Sequence, residues 1–285
     1  MTELDLDIYI WYFCLLEFAF IYAEISVEAL VTLKQALYDA VSETISEIHR
    51  VAVAFSGGVD SSILAKICHD LSKQVTLVTV GFSGSHDIDF SKRVASKMSM
   101  QHKVCEVDHG DFEEDVRHVQ QAIRCKNTSH VENCIAYFYI CRFAKQNQLN
   151  VVLSANGCDE LFCGYDGYRD VYHGGETEIS KLMDKKIANE FSLMQEIEIV
   201  AAQLDVQIRQ PFLSPGFIQF AKTIPLDQKI KGPNDMTRKH ILRCAALAVG
   251  VPEESAMKPK KALQYGSSIH KYFKKIERSR RSSQH

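Results

Sequence analysis

The stretch that most constrains this chain is the apolar run Val51–Phe55 leading into Ser56-Gly57-Gly58-Val59-Asp60-Ser61-Ser62, with a helical pattern from Ile63 to Leu71 behind it. An uninterrupted apolar run of this length suits a strand buried on both faces, which belongs in a sheet covered by helices. Two glycines between strand and helix let the backbone turn tightly and bring several N–H groups toward one point. The helix N-terminus adds partial positive charge there. Such a loop can cradle phosphate, and Ser56, Ser61 and Ser62 offer hydroxyl donors to it. Asp60 would repel phosphate; its natural use is to hold a Mg²⁺ that bridges to the phosphate oxygens. The plainer alternative is a capped turn, since Asp and Ser are ordinary N-cap residues. The chain has no G-x-x-x-x-G-K-[ST] and no G-x-G-x-x-G after this strand, so neither a kinase-type phosphate loop nor a dinucleotide fold is supported.

The rest of the chain extends the same alternation. Leu30, Leu33, Leu37, Val41, Ile45 and Ile48 recur at three- and four-residue steps, an amphipathic helix over 26–49. Strands are expected at 75–80, 104–107 and 151–154, with helices at 90–98, near 111–123 and over 132–147. From about 178 no further strand is legible, and 178–204, 217–223, 235–249 and 268–277 read as helices. The expected fold class is α/β: a parallel sheet with helices on both faces, plus a C-terminal helical lobe.

Composition narrows the partners. With 46% hydrophobic and 24% charged residues, the chain has the make-up of an ordinary soluble globular protein. A net charge of -3 gives no global attraction to nucleic acid or to an anionic membrane. Nine cysteines, an odd number without a C-x-x-C pair, read as reduced thiols in a cytoplasmic protein. Residues 1–25 form an apolar segment whose acidic flank, Glu3, Asp5 and Asp7, is opposite to a secretory signal. Its apolar part is shorter than the ~20 residues that cross a bilayer. It is expected to pack on the domain or to join a homo- or hetero-oligomer. Residues 273–285 carry Lys274, Lys275, Arg278, Arg280 and Arg281 against Glu277, and are expected to be a solvated, frayed basic tail.

The glycine loop resembles that of the ATP pyrophosphatases. The likeness continues through Val80-Gly81-Phe82-Ser83-Gly84-Ser85-His86-Asp87, through Leu153 to Tyr165 (LSANGCDELFCGY), through Arg209-Gln210-Pro211-Phe212-Leu213, and through Lys258 to Gly266 (KPKKALQYG). In this order and spacing the series resembles the synthetase domain of the asparagine synthetases and their relatives, such as the β-lactam synthetases, over about residues 30–272. That resemblance implies an adenine nucleotide alpha hydrolase-like fold in a domain spanning 26–272, and ATP and Mg²⁺ as cofactors. It also implies a two-stage reaction: a small-molecule carboxylate is activated as an acyl-adenylate with release of pyrophosphate, then attacked by ammonia or an amine. Carried over by position, Ser56, Gly57, Gly58, Ser61 and Ser62 would hold the phosphates, and Asp60 and Asp159 would hold Mg²⁺. Lys260 would neutralise charge on the leaving pyrophosphate, and the backbone of Val80, Gly81 and Phe82 would accept the adenine. Lys239 and Arg243, four apart, would support phosphates or belong to a solvated face.

Three departures from the family pattern bear on the chemistry. Asn156, in a catalytic position, stands where asparagine synthetases have a glutamate, and an amide cannot take a proton from incoming ammonia. Gln207 replaces a second glutamate. Glu132 aligns with an arginine that would meet aspartate; an acid there would favour a cationic or neutral substrate. Met1 is followed by Thr2, and about 50 residues precede the loop, so the N-terminal cysteine of the family's glutaminase domain is not expected here. Ammonia would come from solution, from a separate glutaminase subunit, or as an amine on the substrate. Two other readings stay open: an RNA-modifying relative, against which the missing C-x-x-C weighs, and a non-catalytic ATP-binding relative, which the amides at 156 and 207 suit.

Overall fold

The structure, a computed structural model, describes residues 25–282. The elements run α1 (Val27–Ile45), β1 (Arg50–Ala54), α2 (Val59–Asp70), β2 (Gln74–Gly81), α3 (His86–Lys97), β3 (Gln101–Glu106), α4 (Phe112–Ala122) and α5 (Thr128–Gln146). They continue with β4 (Val151–Leu153), α6 (Cys158–Leu161), α7 (Gly167–Asp170), α8 (Gly175–Ala202), β5 (Gln207–Arg209), α9 (Pro215–Thr223), α10 (His240–Ala248), α11 (Glu253–Ala256), α12 (Leu263–Gly266) and α13 (Ile269–Ser282). The expected apolar segment of residues 1–25 lies, but for Ile25, outside the described residues. Among the described residues no helix is long and apolar enough to cross a membrane.

All five strands are parallel, in the order β3-β2-β1-β4-β5. Successive side chains of a strand point to opposite faces, and here they enter two separate cores. Val51 and Val53 of β1 join α1, α2 and α10 on one face. Ala52, with Val78 and Val80 of β2, joins α5, α8 and α13 on the other. The α/β architecture with helices on both faces is therefore present as read. Helix α1 starts where Ser26 Oγ accepts a hydrogen bond from Ala29 N at 3.3 Å, and it buries Leu30, Leu33, Leu37, Val41 and Ile45. Each such buried side chain contributes roughly 1.5–3 kcal/mol of burial energy.

Two expectations are corrected. A fifth strand does follow residue 178: β5 pairs with β4 through Val152↔Ile208 and Leu153↔Arg209. It is three residues long with one buried side chain, Ile208, between the exposed Gln207 and the half-buried Arg209, so no periodic signal could form. The basic segment after 273 is not frayed through its described length, since α13 continues to Ser282. Phe273 is buried in the second core, and Arg280 Nη1 donates to Gln120 Oε1 at 3.0 Å.

Candidate active site

Strand order creates the site. β1 and β4 are neighbours, but the chain leaves β1 toward β2 and β3 and comes back to β4 on the other side. Connections from their carboxyl ends part in opposite directions and open a crevice, the place where open α/β sheets bind ligands. The loop 56–58 leaves β1 for α2, and the loop 154–157 leaves β4 for α6. Gly57 (φ +72°) and Gly157 (φ +104°) make these turns in conformations that side chains rarely adopt. A Cβ on Gly157 would also lie 2.7 Å from the Phe212 carbonyl oxygen.

Ser56, Gly58, Asp60 and Ser61 line a small pocket of about 50 Å³, faced by Lys239, Lys258 and Lys260. It shares Ser56, Asp60, Ser61 and Lys260 with a larger cleft of about 270 Å³ that reaches Tyr137, Asn156, Asp159, Glu160 and Glu190. The two predicted metal ligands meet here. Lys239 Nζ lies 2.6 Å from Asp60 Oδ2 and 2.6 Å from Asp159 Oδ1, and Lys260 Nζ pairs with Asp159 Oδ2. Carboxylate oxygens that share one ammonium are no more than about 5 Å apart, close to the ~4 Å span across an octahedral Mg²⁺. Asp159 Oδ1 is buried with an ion pair but no hydrogen bond. Two hard carboxylates converging on one cation beside a phosphate-type loop fit a Mg²⁺ that takes its other ligands from phosphate and water.

The electrostatics follow from the burial. Desolvation would push the Asp159 carboxyl up, but the Lys239 and Lys260 ammoniums outweigh it and hold the group well below the ordinary carboxylate range. Burial pulls the Lys239 ammonium down, and Asp159 and Asp60 more than reverse that. Lys258 is lowered chiefly by burial, with Asp87 opposing. Its Nζ donates to the Ser56 carbonyl at 3.1 Å and so braces the loop. Arg243 is 2% exposed; its guanidinium donates to the carbonyls of Thr237, Arg238, Ala256 and Lys258. It ties the turn that carries Lys239 to the segment that carries Lys258 and Lys260.

At the other end of the cleft, Asn156 joins a buried polar chain. Tyr137 Oη donates to Asn156 Oδ1 at 2.7 Å, and Asn156 Nδ2 donates to Glu190 Oε1 at 2.5 Å. Tyr165 Oη donates to Glu160 Oε1 at 2.6 Å. Burial, then the neighbouring Glu190 and Asp159 charges, push the Glu160 carboxyl up to about 8. Glu190 is raised as well, chiefly by burial.

The structure thus brings Ser56, Gly58, Asp60, Ser61, Asn156, Asp159 and Lys260 to one crevice, with Gly57 shaping it. It does not bring the others. Ser62 is fully buried, and its Oγ accepts from Ser255 Oγ at 2.8 Å. Val80 and Phe82 are 1% exposed. The Gly81 carbonyl accepts from Val107 N, and Phe82 N donates to the Ser267 carbonyl, so these backbone groups are engaged within the chain. Glu132 faces away from the cleft and takes His270 Nδ1 at 2.9 and 3.0 Å; the cleft side of α5 is Ser129, His130, Asn133 and Tyr137. Gln207 opens β5 at the amino end of the sheet, away from the crevice, and accepts from Arg209. Sequence reading missed Glu190, one acid among several on α8, which carries no motif; Glu160 and Tyr165 sat inside a quoted motif without a role.

The family model for asparagine synthase matches residues 32–198 and 182–284. A protein of Methanocaldococcus jannaschii provisionally named asparagine synthetase [glutamine-hydrolyzing] 1 is 29% identical over 280 residues, covering 87% of this chain and 51% of that protein. Asparagine synthetase B [glutamine-hydrolyzing] of Escherichia coli K12 is 25% identical over 225 residues, covering 74% of this chain and 40% of that protein. The chain spans about half the length of these curated relatives, or less. A solved structure described as a predicted subunit of a tRNA methyltransferase from M. jannaschii superposes with a TM-score of 0.36 at 16% identity, covering 75% of this chain and 94% of that one. The family model covers nearly the whole described chain, including both loops that close on Lys239, and the chain belongs to the asparagine synthase family.

Proposed function

We propose that this protein is an ATP-dependent, AMP-forming C–N ligase: it activates a small carboxylate as an acyl-adenylate, releases pyrophosphate, and passes the acyl group to ammonia or an amine. The observation that carries this reading is the convergence of Asp60 and Asp159, from loops after β1 and β4, on one cationic point beside the Ser56–Ser61 loop. The loop and the first-turn N–H groups of α2 bind the triphosphate. Asp60 and Asp159 would hold Mg²⁺, which supplies charge neutralisation to the phosphates. Lys260 and Lys258 receive the negative charge that builds on the departing pyrophosphate. The carboxylate substrate occupies the larger cleft, where Lys186 and Lys261 offer it cationic partners.

Asn156 cannot accept a proton, but it holds a residue that can. Glu190, from a different element, places a carboxylate within 2.5 Å of the amide. With Glu160, which is pushed up to about 8, it forms a buried carboxyl pair whose members are both raised chiefly by burial, which suits a base that takes a proton from ammonium or an amine. This supports a working enzyme over a non-catalytic ATP binder. The test is AMP and pyrophosphate formation from Mg·ATP with ammonium chloride and a panel of amino-acid and dicarboxylic acids. AMP in equal amount to pyrophosphate, dependent on one acid, is expected. Tight binding of an ATP analogue with no pyrophosphate from any acid would overturn the proposal in favour of a binding protein.

A further inference from the structure

One cluster beside the cleft, with His130 and Asn189 in its wall, has no part in the ligase reading. Cys125 Sγ lies 3.6 Å from His130 Nδ1, and His130 Nε2 lies 3.2 Å from Asn189 Oδ1. The amide oxygen of Asn189 can only accept, so Nε2 carries the ring proton and Nδ1 presents its lone pair to the thiol. The backbone N–H of Asn127 donates to Cys125 Sγ at 3.3 Å. Asn127 caps α5, taking hydrogen bonds from Ser129 N and His130 N, so the sulfur sits at the positive end of a 19-residue helix. Among the described residues Cys125 is the one cysteine that is not buried. His130 and Asn189 line the same cleft as Asn156 and Glu190.

We propose that Cys125, His130 and Asn189 form a thiol-nucleophile site at the rim of the cleft, whose substrate class is an activated acyl group. Nucleophile, base and orienting amide stand in the order such catalysis requires. His130 Nδ1 takes the thiol proton, and Sγ attacks the acyl carbon. The C–S bond forms as the C–O bond to the leaving group breaks, and the electron pair departs on that oxygen. Water or an amine then cleaves the thioester, and the proton returns to sulfur. The natural donor rests on the ligase reading, since an acyl-phosphate anhydride made in this cleft is such a group; the thiol chemistry itself does not.

The experiment uses the full chain with p-nitrophenyl acetate and no ATP, following nitrophenolate release and locating acetyl groups by peptide mass. Acetylation of Cys125 at least about tenfold faster than free cysteine at neutral pH is expected. His130→Gln should lower that rate about a hundredfold and shift its pH profile to the alkaline limb of a free thiol. Asn189→Ala, a change at an exposed positioning residue, should slow acetylation with the profile partly shifted, and gives the same comparison if His130→Gln does not fold. Cys125→Ser should abolish the acetylation while leaving ammonium-driven AMP formation intact, which separates this site from the ligase. No acetyl group on Cys125, or the same rate and pH profile in all three proteins that retain the thiol, would overturn the proposal.

Discussion

Lys239 carries more of the site than its neighbours. Its side chain is 3% exposed and faces two carboxylates that would otherwise repel each other in a buried crevice. Breaking a buried ion pair by removing one partner leaves an uncompensated charge. Lys239→Met should therefore destabilise the fold by about 3–5 kcal/mol in urea titration. Mg²⁺ should recover part of that loss, and should raise the melting temperature of the variant more than that of the native chain. The Glu160–Glu190 pair makes a second prediction. A carboxyl whose pKa is raised on folding binds its proton more tightly in the folded state, so stability is greatest below the ordinary carboxyl range and is lost as pH rises through about 8. Glu190→Gln removes one of the charges that raises Glu160. Melting temperatures measured from pH 5 to 9 should then fall less steeply with pH, while the ligase rate drops because the carboxylate beside Asn156 is gone. A fall with pH as steep as in the native chain would rule this coupling out.

Elements decide which side chains can meet. On α5, residues 129, 130, 133 and 137 fall on the cleft side, while 132 points toward α13. One helical position is 100° of rotation, which is why an alignment without a motif placed Glu132 at the substrate and the structure places it on His270. The strand-to-helix loops depend on backbone conformations that other residues resist. Gly157→Ala, at φ +104° and against the Phe212 carbonyl, should cost about 1–2 kcal/mol from the left-handed backbone alone. It should also reduce binding of an ATP analogue in calorimetry, because the loop that holds Asp159 must shift. The strands of this sheet were legible where apolar residues cluster, even in the three residues of β4. β5 was not, because its one buried residue, Ile208, stands between the polar Gln207 and Arg209.

At the scale of the whole molecule, residues from 239 onward close the site that the loops after β1 and β4 open. Lys239 reaches Asp60, Lys260 reaches Asp159, Ser255 reaches Ser62, and α13 packs on α5 in the second core. With both parts sharing these contacts, unfolding should be one cooperative transition, coincident by fluorescence and far-UV circular dichroism. Mg·ATP at a hundred times its dissociation constant should stabilise that transition by about 2.7 kcal/mol. The sequence alone determined the chemistry-bearing loops, the α/β class and the family. Those properties are written locally, in apolar runs, glycines and acids at fixed spacing. Only the tertiary structure decided that Asp60 and Asp159 share one ammonium, that Ser62 and the backbone of Gly81 and Phe82 are committed to internal hydrogen bonds, and that Glu190 stands beside Asn156. Those facts depend on residues 26 to 193 positions apart meeting in the fold, and strand order, which no local pattern encodes, is what brings them together.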